Sequence, residues 1–560
     1  MLNVQTYFPF RAIAIYIIHR RRILLNLPSL HQTHYVHKDN PRMRRSGILL
    51  HPTSLPGGRG CIGSIGSTAR DFIRFLAQAG QTVWQVLPLV PTDDSGCPYN
   101  STSAMAYNTR LVDLDDLTGD DFACLLSYND FLDEPEPERR DRVEFATARQ
   151  FKDAKLRIAL SRLKTSNHFN ADAVRSEFAD FCAKNAAWLD DFTLFDTLQN
   201  VRPEGPLWSN WPKALRDREP SALAAARAEF KDEIGLRKFG QFVFYKQWMK
   251  LRSVASQYNI KIMGDVPIFV SYNSVDVWAN RKYFQLNAEG KSESVAGVPP
   301  DCFAKEGQLW GNPLYDWKVL AESGYDWWLK RLGALATLVD IVRIDHFRGF
   351  AAFWSVAATE KTAINGHWVK GPGLDFFKAV AKAYPNLEII AEDLGIITPD
   401  VEKLRKDAGF PGMRVLQFGF PLDNANDHHA LHMHTQDSVV YCGTHDNDTT
   451  IGWYTSLDEA QRDRVRRYLA IDGNEIAWQL MTAALSSVAD LCILTVQDIF
   501  SFGTDARMNV PSIAKGNWAW RMLYNVAPWN TTRLRGLVEL YGRAPEQQGD
   551  KNTASYDSLS

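Results

Sequence analysis

The stretch "LVDIVRIDHFRGF", residues 338–350, begins as an apolar strand and ends in charge. Four charged or titratable side chains follow the apolar run within six positions: Arg343, Asp345, His346 and Arg348. An apolar run with β-branched residues is typical of a strand buried on both faces of a parallel sheet. Ligands bind such sheets at the carboxyl ends of the strands, so this stretch predicts a strand that delivers charge to a site.

The same pattern recurs along the chain, with helical stretches between the apolar runs, and this predicts parallel strands joined by helices. The predicted strands span residues 46–51, 82–88, 260–265, 339–345, 387–392, 413–418, 438–445 and 491–497. Eight such strands favour an α/β fold, a (β/α)8 TIM barrel with large, mostly helical insertions between strands. An open doubly wound sheet would give the same local pattern, and the chemistry of the strand ends favours the barrel.

The 560-residue chain is too long for one simple core, so insertions or several domains are expected. We predict a catalytic barrel over residues 43–540, with an inserted subdomain at about 100–235 and a flap over the site at about 294–317. Residues 1–42 are predicted to be an extension outside the fold, since "NPRMRRSGILL" has a methionine just before the first strand. The polar residues 541–560 predict a disordered tail.

Composition limits the partners of the chain. A net charge of −2 gives no basic field for nucleic acid or an anionic membrane, and we find no apolar run long enough to span a membrane. The seven cysteines are odd in number and form no C-x-x-C pair, which indicates reduced thiols and a cytoplasmic location. The 17 tryptophans suit either stacking of sugar rings or a tryptophan-rich core, and composition leaves both open.

Polar side chains collect at the ends of the predicted strands. They are His51, Asp265, Asp345, Glu392, His445, Asp446, Gln497 and Asp498. Acids therefore come from at least four strands, and no cysteine–histidine spacing typical of a metal site accompanies them, so no metal is expected. One ionised and one protonated carboxyl group are what cleavage of a glycosidic bond requires.

Asp345 fits the role of the ionised acid. Side chains two apart on a strand share a face, so Arg343 should lie beside Asp345. A cation within about 4–6 Å lowers the pKa of a carboxyl group, so Arg343 is expected to keep Asp345 ionised. A strand-end salt bridge without a catalytic role is the alternative, and these two residues alone leave the choice level.

Glu392 and Asp446 fit the other roles. The apolar run before Glu392 and its neighbour Asp393 are expected to raise the pKa of Glu392, which suits a general acid. Asp446 follows His445 in "GTHDND", and the pair could grip sugar hydroxyls. The alternatives are an acid at the start of the following helix for Glu392 and a turn for Asp446.

Three segments, "VRIDHFRG", "IIAEDLG" and "GTHDNDT", resemble the catalytic segments of the amylomaltases, the 4-α-glucanotransferases of glycoside hydrolase family 77. The resemblance extends to "GILLHPTSLPG", "WQVLPL", "CPYNSTSAMAYNTRLVDLD", "GDVPIFV" and "GVPPDCFAKEGQLWGNPLYDW", and covers about residues 46–530. It implies one barrel with insertions that transfers α-1,4-glucan segments from a maltooligosaccharide donor to an acceptor. It also implies that no metal or organic cofactor is needed.

The resemblance implies a role for each matching residue. Asp345 would be the nucleophile of a covalent glycosyl-enzyme, Glu392 the acid and then the base, and Asp446 the residue that stabilises the transition state. The implied substrate contacts are Arg343, His445, His346, Asp265, Tyr99, Asp301, Gln308, Trp310 and Asn312. The residues that follow Tyr99 depart from the commonest family pattern, which concerns the donor side only.

Two other functions stay open at this point. An α-amylase-type retaining α-glucan hydrolase would use the same three acids. A non-catalytic glucan-binding protein would keep the fold, and the presence of Asp345, Glu392 and Asp446 argues against it. A nicotinamide oxidoreductase would rest on "GRGCIG" at 58–63, but that segment does not close a strand directly and no acid ends the next strand. "DHHALHMHT" at 427–435 has two histidines four apart but no obvious third ligand, so a solvated loop is preferred to a metal site.

The predicted flap carries three aromatic residues in "EGQLWGNPLYDW". Trp310, Tyr315 and Trp317 could bind an acceptor sugar and displace water, or they could pack the flap onto the barrel. Trp310 is expected to face the ligand, because Gly311 beside it leaves room. Arg348 is expected to pair with neighbouring acids.

Overall fold

The computed structural model describes residues 44–300, 304–513 and 515–545. The predicted extension at 1–42 lies outside the described residues, as do residues 546–560 of the predicted tail. The described strands are β1 (Arg45–Leu49), β2 (Val83–Gln85), β3 (Lys261–Pro267), β4 (Ser294–Val298), β5 (Gln308–Pro313), β6 (Ile341–Asp345), β7 (Ala352–Ala357), β8 (Gly366–Lys370), β9 (Glu388–Ala391), β10 (Gly412–Val415), β11 (Ser438–Tyr441) and β12 (Leu491–Thr495).

The helices lie mostly after these strands and in one long insertion. They are α1 (Ser67–Gln78), α2 (Phe145–Thr165), α3 (Ala171–Val201), α4 (Lys213–Arg216), α5 (Pro220–Glu229), α6 (Lys231–Gln257), α7 (Val275–Ala279), α8 (Trp317–Glu322), α9 (Asp326–Leu338), α10 (Leu374–Ala383), α11 (Pro399–Ala408), α12 (Thr450–Ser456), α13 (Glu459–Leu469), α14 (Ile476–Ser486), α15 (Val496–Ile499) and α16 (Pro528–Leu540).

Eight of the strands form one parallel sheet in the order β10-β11-β12-β1-β2-β3-β6-β9. The two end strands also meet. The Ala391 amide at the end of β9 donates to the Pro411 carbonyl just before β10, at 3.0 Å. The sheet is therefore a nearly closed barrel. The predicted (β/α)8 fold is confirmed, and all eight predicted strands are among the strands of this sheet.

The sixth barrel strand is shorter than the sequence pattern predicts. β10 ends at Val415, and residues 416–418 form a 3-10 turn instead of continuing the strand. The Val415 amide donates to the His429 imidazole at 3.2 Å, so a side chain from the following loop ends the ladder. An apolar run alone carries no signal for that contact.

The long insertion lies between β2 and β3 and contains helices α2 to α6. The last of them, α6, packs against both the insertion helix α3 and the barrel helix α1, so it joins the insertion to the barrel wall. Across residues 44–300, 304–513 and 515–545, no helix has both the length and the apolar character needed to cross a membrane. The predicted boundaries at about 100 and 235 stay a prediction.

A second, antiparallel sheet lies beside the barrel mouth in the order β5-β4-β7-β8. Two of its strands, β4 and β5, fall within the predicted flap at about 294–317, and the other two follow the strand that carries Asp345. This sheet was not predicted. Its strands are five or six residues long, and their pairing depends on segments that are distant in the chain.

Strand register brings the first group of charges together. β3 pairs in parallel with β6, with Asp265 opposite Arg343 and Pro267 opposite Asp345. Side chains at paired positions share a face of the sheet, so Asp265 and Arg343 point to the same side. β9 pairs with the other edge of β6 and ends at Ala391, one residue before Glu392.

Candidate active site

Arg343 joins two carboxylates at the ends of β3 and β6. Its guanidinium donates twice to Asp345 Oδ1, at 2.7 and 3.1 Å, and lies 3.2 Å from Asp265 Oδ2. The side chains of Arg343 and Asp265 are almost fully buried, whereas Asp345 is 29% exposed. Tyr99 donates its hydroxyl proton to Asp265 Oδ2 at 2.6 Å. Asp345 is thus the member of this group that can reach a ligand.

Burial raises the pKa of Asp345 well above its usual value. The Arg343 guanidinium lowers it, as predicted, but the neighbouring Asp265, Glu392 and Asp446 add to the rise. The prediction that Arg343 leaves Asp345 with a lowered pKa is therefore wrong, because burial outweighs the ion pair. Arg343 nevertheless bonds Asp345 directly, and this contact favours the charged form of Asp345.

Glu392 lies directly after β9, and backbone amides hold both of its oxygens. The His346 amide donates to Oε2 at 2.7 Å and the Leu394 amide to Oε1 at 2.8 Å. Burial raises the pKa of Glu392 to about 7, with a smaller rise from Asp393. The direction agrees with the prediction, and a carboxyl group with this pKa can donate a proton near neutral pH.

His346 connects the two acids through an unusual backbone conformation. It follows Asp345 directly and has φ 51° and ψ 50°, in the left-handed region that side chains other than glycine rarely adopt. This turn aims its amide at Glu392, and its ring meets the Trp310 ring at 4.8 Å in an edge-on contact. Burial lowers the pKa of His346 to about 3, so the imidazole is neutral near pH 7.

Asp446 and His445 come from the loop after β11. His445 Nε2 lies 3.4 Å from Asp446 Oδ2, and the His445 ring stacks on Tyr99 with the ring centres 5.3 Å apart. Trp518 packs at 5.7–5.8 Å against both of those rings. Asn509 donates to Asp446 Oδ1 at 2.7 Å, so the Asp446 side chain is held while half of it stays exposed.

One open cleft connects Asp345, His346, His445 and Asp446 with strand β5. Gln308 and Trp310 line it, and Trp310 donates its indole N–H to the Gln308 side chain at 3.0 Å. Asn312 also lines it and donates to the Val270 carbonyl at 2.9 Å. The site residues along this cleft are Tyr99, Gln308, Trp310, Asn312, Asp345, His346, His445 and Asp446. Asp301 lies outside the described residues.

The arrangement can carry out acid–base and nucleophilic chemistry on a sugar. It offers one partly exposed carboxylate bound to a cation, one partly buried carboxyl group whose pKa is raised to about 7, and a third acid fixed beside a histidine. A family model described as 4-alpha-glucanotransferase, from glycoside hydrolase family 77, matches residues 50–525. The chain belongs to the glycoside hydrolase 77 family of 4-alpha-glucanotransferases.

Known members of this family resemble the chain over most of their length. The 4-alpha-glucanotransferase of Synechocystis sp. is 45% identical over 504 residues, covering 89% of this chain and 98% of the relative. The chloroplastic/amyloplastic 4-alpha-glucanotransferase of Arabidopsis thaliana is 44% identical over 514 residues, covering 90% and 87%. The solved amylomaltase of Streptococcus agalactiae in complex with acarbose is 34% identical, with a TM-score of 0.85, covering 90% of this chain and 100% of that one.

Three aromatic residues of the predicted flap were suggested as sugar-binding rings. Two of them instead pack against other parts of the protein. Tyr315 is 1% exposed and donates its hydroxyl to the Ile268 carbonyl at 2.9 Å. Trp317 packs against Trp328 and Phe350. Neither lines the cleft, so only Trp310 matches the expectation of a ligand-facing ring.

The expected pairing of Arg348 with acids is wrong for the described residues. Its guanidinium donates to the Ile396 carbonyl at 2.5 Å and lies 3.9 Å from the centre of the Trp368 ring. No carboxylate among the described residues makes a salt bridge with it. An arginine in a charge-rich segment suggests an acid, and only the fold shows that a carbonyl and an indole take its place.

Sequence reasoning missed Asn509 and Trp518, which hold Asp446, His445 and Tyr99 in place. Both lie in an irregular segment after the last barrel strand, far from any strand end. The segment "RMNVPSIAKGNWAW" has no periodic pattern, and its proline and glycine predict only a loop. The sequence contains no local signal that would place it over the site.

The structure shows what surrounds the glycine-rich segment at 58–63 and the histidine segment at 427–435. In "GRGCIG", a side chain at Gly63 would meet the Pro52 carbonyl at 2.2 Å, and one at Gly60 would meet the Phe151 ring at 2.9 Å. The protein itself therefore fills that loop. In the histidine segment, His429 accepts a hydrogen bond from the Val415 amide, and the cationic Arg414 is near enough to lower the pKa of His429 further, after burial. Ligand atoms of Asp427, His428 and His429 lie within 4.8 Å of one another, but the contact to Val415 and the nearby Arg414 charge disfavour a metal there.

Proposed function

We propose that this 4-α-glucanotransferase works by a retaining double displacement, with Asp345 as nucleophile and Glu392 as acid and base. The observation that carries the proposal is the contrast between the two acids at the ends of neighbouring strands. Both side chains are partly buried, but the Arg343 guanidinium bonds Asp345, whereas two backbone amides hold Glu392 and burial raises the pKa of Glu392 to about 7. Retaining enzymes need this division between a charged nucleophile and a protonated acid.

In the first step Glu392 donates its proton to the glycosidic oxygen while Asp345 attacks the anomeric carbon. Both Arg343 hydrogen bonds go to Asp345 Oδ1, which leaves Oδ2 as the attacking oxygen. The carbon–oxygen bond to the leaving glucan breaks, its electrons stay on that oxygen with the proton from Glu392, and the donor segment becomes an ester of Asp345.

In the second step Glu392 is ionised and takes the proton of an acceptor 4-hydroxyl. That oxygen attacks the anomeric carbon, the ester bond to Asp345 breaks, and Glu392 is protonated again. Two inversions at one carbon retain the α configuration. The His346 and Leu394 amides keep Glu392 in one position for both proton transfers.

The remaining site residues bind the sugar that reacts. Asp446 and His445 are placed to hold ring hydroxyls, because Asn509 and Tyr99 fix them at the cleft. Tyr99 donates to Asp265, Asp265 forms an ion pair with Arg343, and these contacts keep the nucleophile in place. Asp301, with Gln308, Trp310 and Asn312, is proposed to contact substrate from the flap.

Transfer requires that a sugar hydroxyl reach the ester before water does. Trp310 is 38% exposed at the cleft, edge-on to His346, and an acceptor ring stacked there would displace water next to Asp345. The flap strand β5 is held to the barrel through Asn312 and the Val270 carbonyl. We therefore propose that the flap shifts the outcome from hydrolysis towards transfer.

A product profile from maltotriose tests the function. Transfer gives glucose and longer maltooligosaccharides while the number of reducing ends stays constant. A rising number of reducing ends would favour the α-amylase-type hydrolase instead. No turnover by the folded wild-type protein would favour a non-catalytic glucan-binding protein.

Replacement of the nucleophile tests the mechanism. We expect Asp345→Asn to lower the rate of maltotriose turnover by at least about three orders of magnitude, because the amide cannot form the ester. Asp326→Asn is the matched control, since Asp326 pairs with Lys330 on the surface of α9. Unchanged turnover in Asp345→Asn would exclude Asp345 as the nucleophile.

We propose a cytoplasmic location, as the cysteine pattern predicts. The six cysteines among the described residues are free thiols. Cell fractionation with an antibody against the chain tests this, and recovery in an organelle would match the chloroplastic/amyloplastic relative instead.

A further inference from the structure

An exposed tryptophan lies beside the two strands that carry the reacting acids. Trp368 is on the edge strand β8 of the antiparallel sheet, and 41% of it is exposed. The Arg348 guanidinium lies over the Trp368 ring, 3.9 Å from the ring centre. Trp354 on β7 makes an edge-on contact with it at 5.1 Å. The indole is therefore held in place while much of its surface stays open.

Arg348 ties this indole to the catalytic loops. It belongs to the 3-10 turn at Phe347–Phe350, three residues after Asp345. It also donates to the Ile396 carbonyl, in the loop that begins with Glu392. Trp368 is thus anchored to the loop of the nucleophile and, through one shared arginine, to the loop of the general acid.

The proposed role of Glu392 as general acid indicates on which side of the reacting carbon Arg348 and Trp368 lie. A general acid donates to the leaving oxygen, so the leaving glucan, and later the acceptor, extends from the reacting carbon past Glu392. On this mechanism the donor sugar would extend the other way, along the part of the cleft lined by Tyr99, His445 and Asp446. The loop after Glu392, where Ile396 is 55% exposed, and the indole that shares Arg348 with it would then border the leaving and acceptor side.

We propose that Trp368 is an outer binding platform for the acceptor glucan, beyond the sugar that reacts. An indole face matches the apolar C–H face of a glucose ring, and Arg348 fixes its orientation in advance. The platform helps only chains long enough to reach it. Short acceptors such as glucose gain nothing from it. The inference rests on the proposed transferase function and adds a preference for acceptor length.

A purely structural role for Trp368 makes a different prediction. If the ring only covered Trp354 and the small sheet, its removal would lower stability and would affect all acceptors alike. A platform instead changes the Michaelis constant for long acceptors alone. The comparison of acceptors of different length therefore separates the two roles.

The experiment compares wild type, Trp368→Ala, Trp368→Phe and Tyr258→Ala. Tyr258 is the matched control, because it is an aromatic residue of similar exposure, 42%, that lies just before β3 at the opposite end of the barrel. Each protein receives the same maltooligosaccharide donor and either labelled glucose or labelled maltohexaose as acceptor. The initial rate of labelled product gives kcat and KM for each acceptor, and thermal melting checks the fold.

We expect Trp368→Ala to raise KM for maltohexaose about five- to tenfold, with KM for glucose and kcat within about twofold of wild type. Trp368→Phe should retain most of the affinity, and Tyr258→Ala should match wild type. Equal losses with glucose and maltohexaose, or no change with maltohexaose, would overturn the proposal. Failure of the wild type to label either acceptor would instead refute the transferase function.

Discussion

At the scale of single residues, the reaction depends on how one proton is distributed between two partly buried acids. Burial raises the pKa of both Asp345 and Glu392, and of these two acids Arg343 bonds to Asp345. The productive state has Asp345 charged and Glu392 protonated. The pair therefore titrates as a unit, with one apparent pKa that limits activity in acid and another that limits it in base.

The pH dependence follows from the sign of these shifts. Glu392 has a pKa of about 7 and must be protonated to act as an acid, so kcat/KM should fall as pH rises through about 7. On the acid side the rate should fall when Asp345 takes up a proton. A rate that keeps rising above pH 8 would contradict Glu392 as the acid.

Replacement of the acid tests the same assignment. Glu392→Gln should lower the rate on maltotriose by at least about two orders of magnitude, the usual contribution of a general acid. The fall in rate above pH 7 should also disappear, because the group that caused it is gone. Glu402→Gln is the control, since Glu402 pairs with Lys406 on the surface of α11. A Glu392→Gln variant that kept the basic limb would assign that limb to another group.

At the scale of elements, strand β5 and its aromatic residue decide which nucleophile reaches the ester. Trp310→Ala should leave cleavage of the donor largely intact but raise the share of hydrolysis about threefold to tenfold, because water then has access beside His346. The measurement is the ratio of new reducing ends to glucose released from maltotriose. Tyr258→Ala is the control, and an unchanged ratio in Trp310→Ala would contradict this role.

Strand and helix patterns predicted the barrel but not its mouth. Apolar runs identified all eight barrel strands, because a strand that is buried on both faces is apolar along nearly its whole length. The antiparallel sheet was missed since its strands pair across distant parts of the chain, as β4 does with β7. The early end of β10 was missed for a similar reason, because His429 from a later loop ends it.

The catalytic site was predicted in part for a related reason. Asp345 and Glu392 stand at strand ends, where a parallel barrel must bring them together. The sign of the Asp345 pKa shift was wrong, because local sequence shows the neighbouring Arg343 but not the depth of burial. Asn509 and Trp518 gave no signal, since their position over the site depends on an irregular loop.

At the scale of the whole molecule, the site depends on close packing between neighbouring strands of the barrel. Gly47 lies in β1 between β2 and β12, and a side chain there would meet the Val83 carbonyl at 2.4 Å and the Ile493 side chain at 2.9 Å. Gly47→Val should therefore lower the free energy of unfolding by about 1–3 kcal/mol. Denaturant unfolding followed by tryptophan fluorescence measures this change.

A second glycine gives the opposite expectation. Gly536 lies within helix α16. Apart from its chain neighbours and the backbone of the helix itself, no atom lies within 4 Å of the position that a Cβ atom would take there. Gly536→Ala should raise the free energy of unfolding by about 0.5–1 kcal/mol, because alanine loses less backbone freedom in a helix. Equal effects of the two substitutions would contradict the packing described for the barrel.

The central claim is that the glucan is carried on Asp345 between donor and acceptor. The most direct test incubates the Glu392→Gln variant with α-glucosyl fluoride, whose leaving group needs no acid, and maps the digested protein by mass spectrometry. One added glucosyl group on the peptide that contains Asp345 is the expected result, because the first step proceeds and the second lacks its base. An adduct on another residue, or none while the fluoride is consumed, would contradict the mechanism.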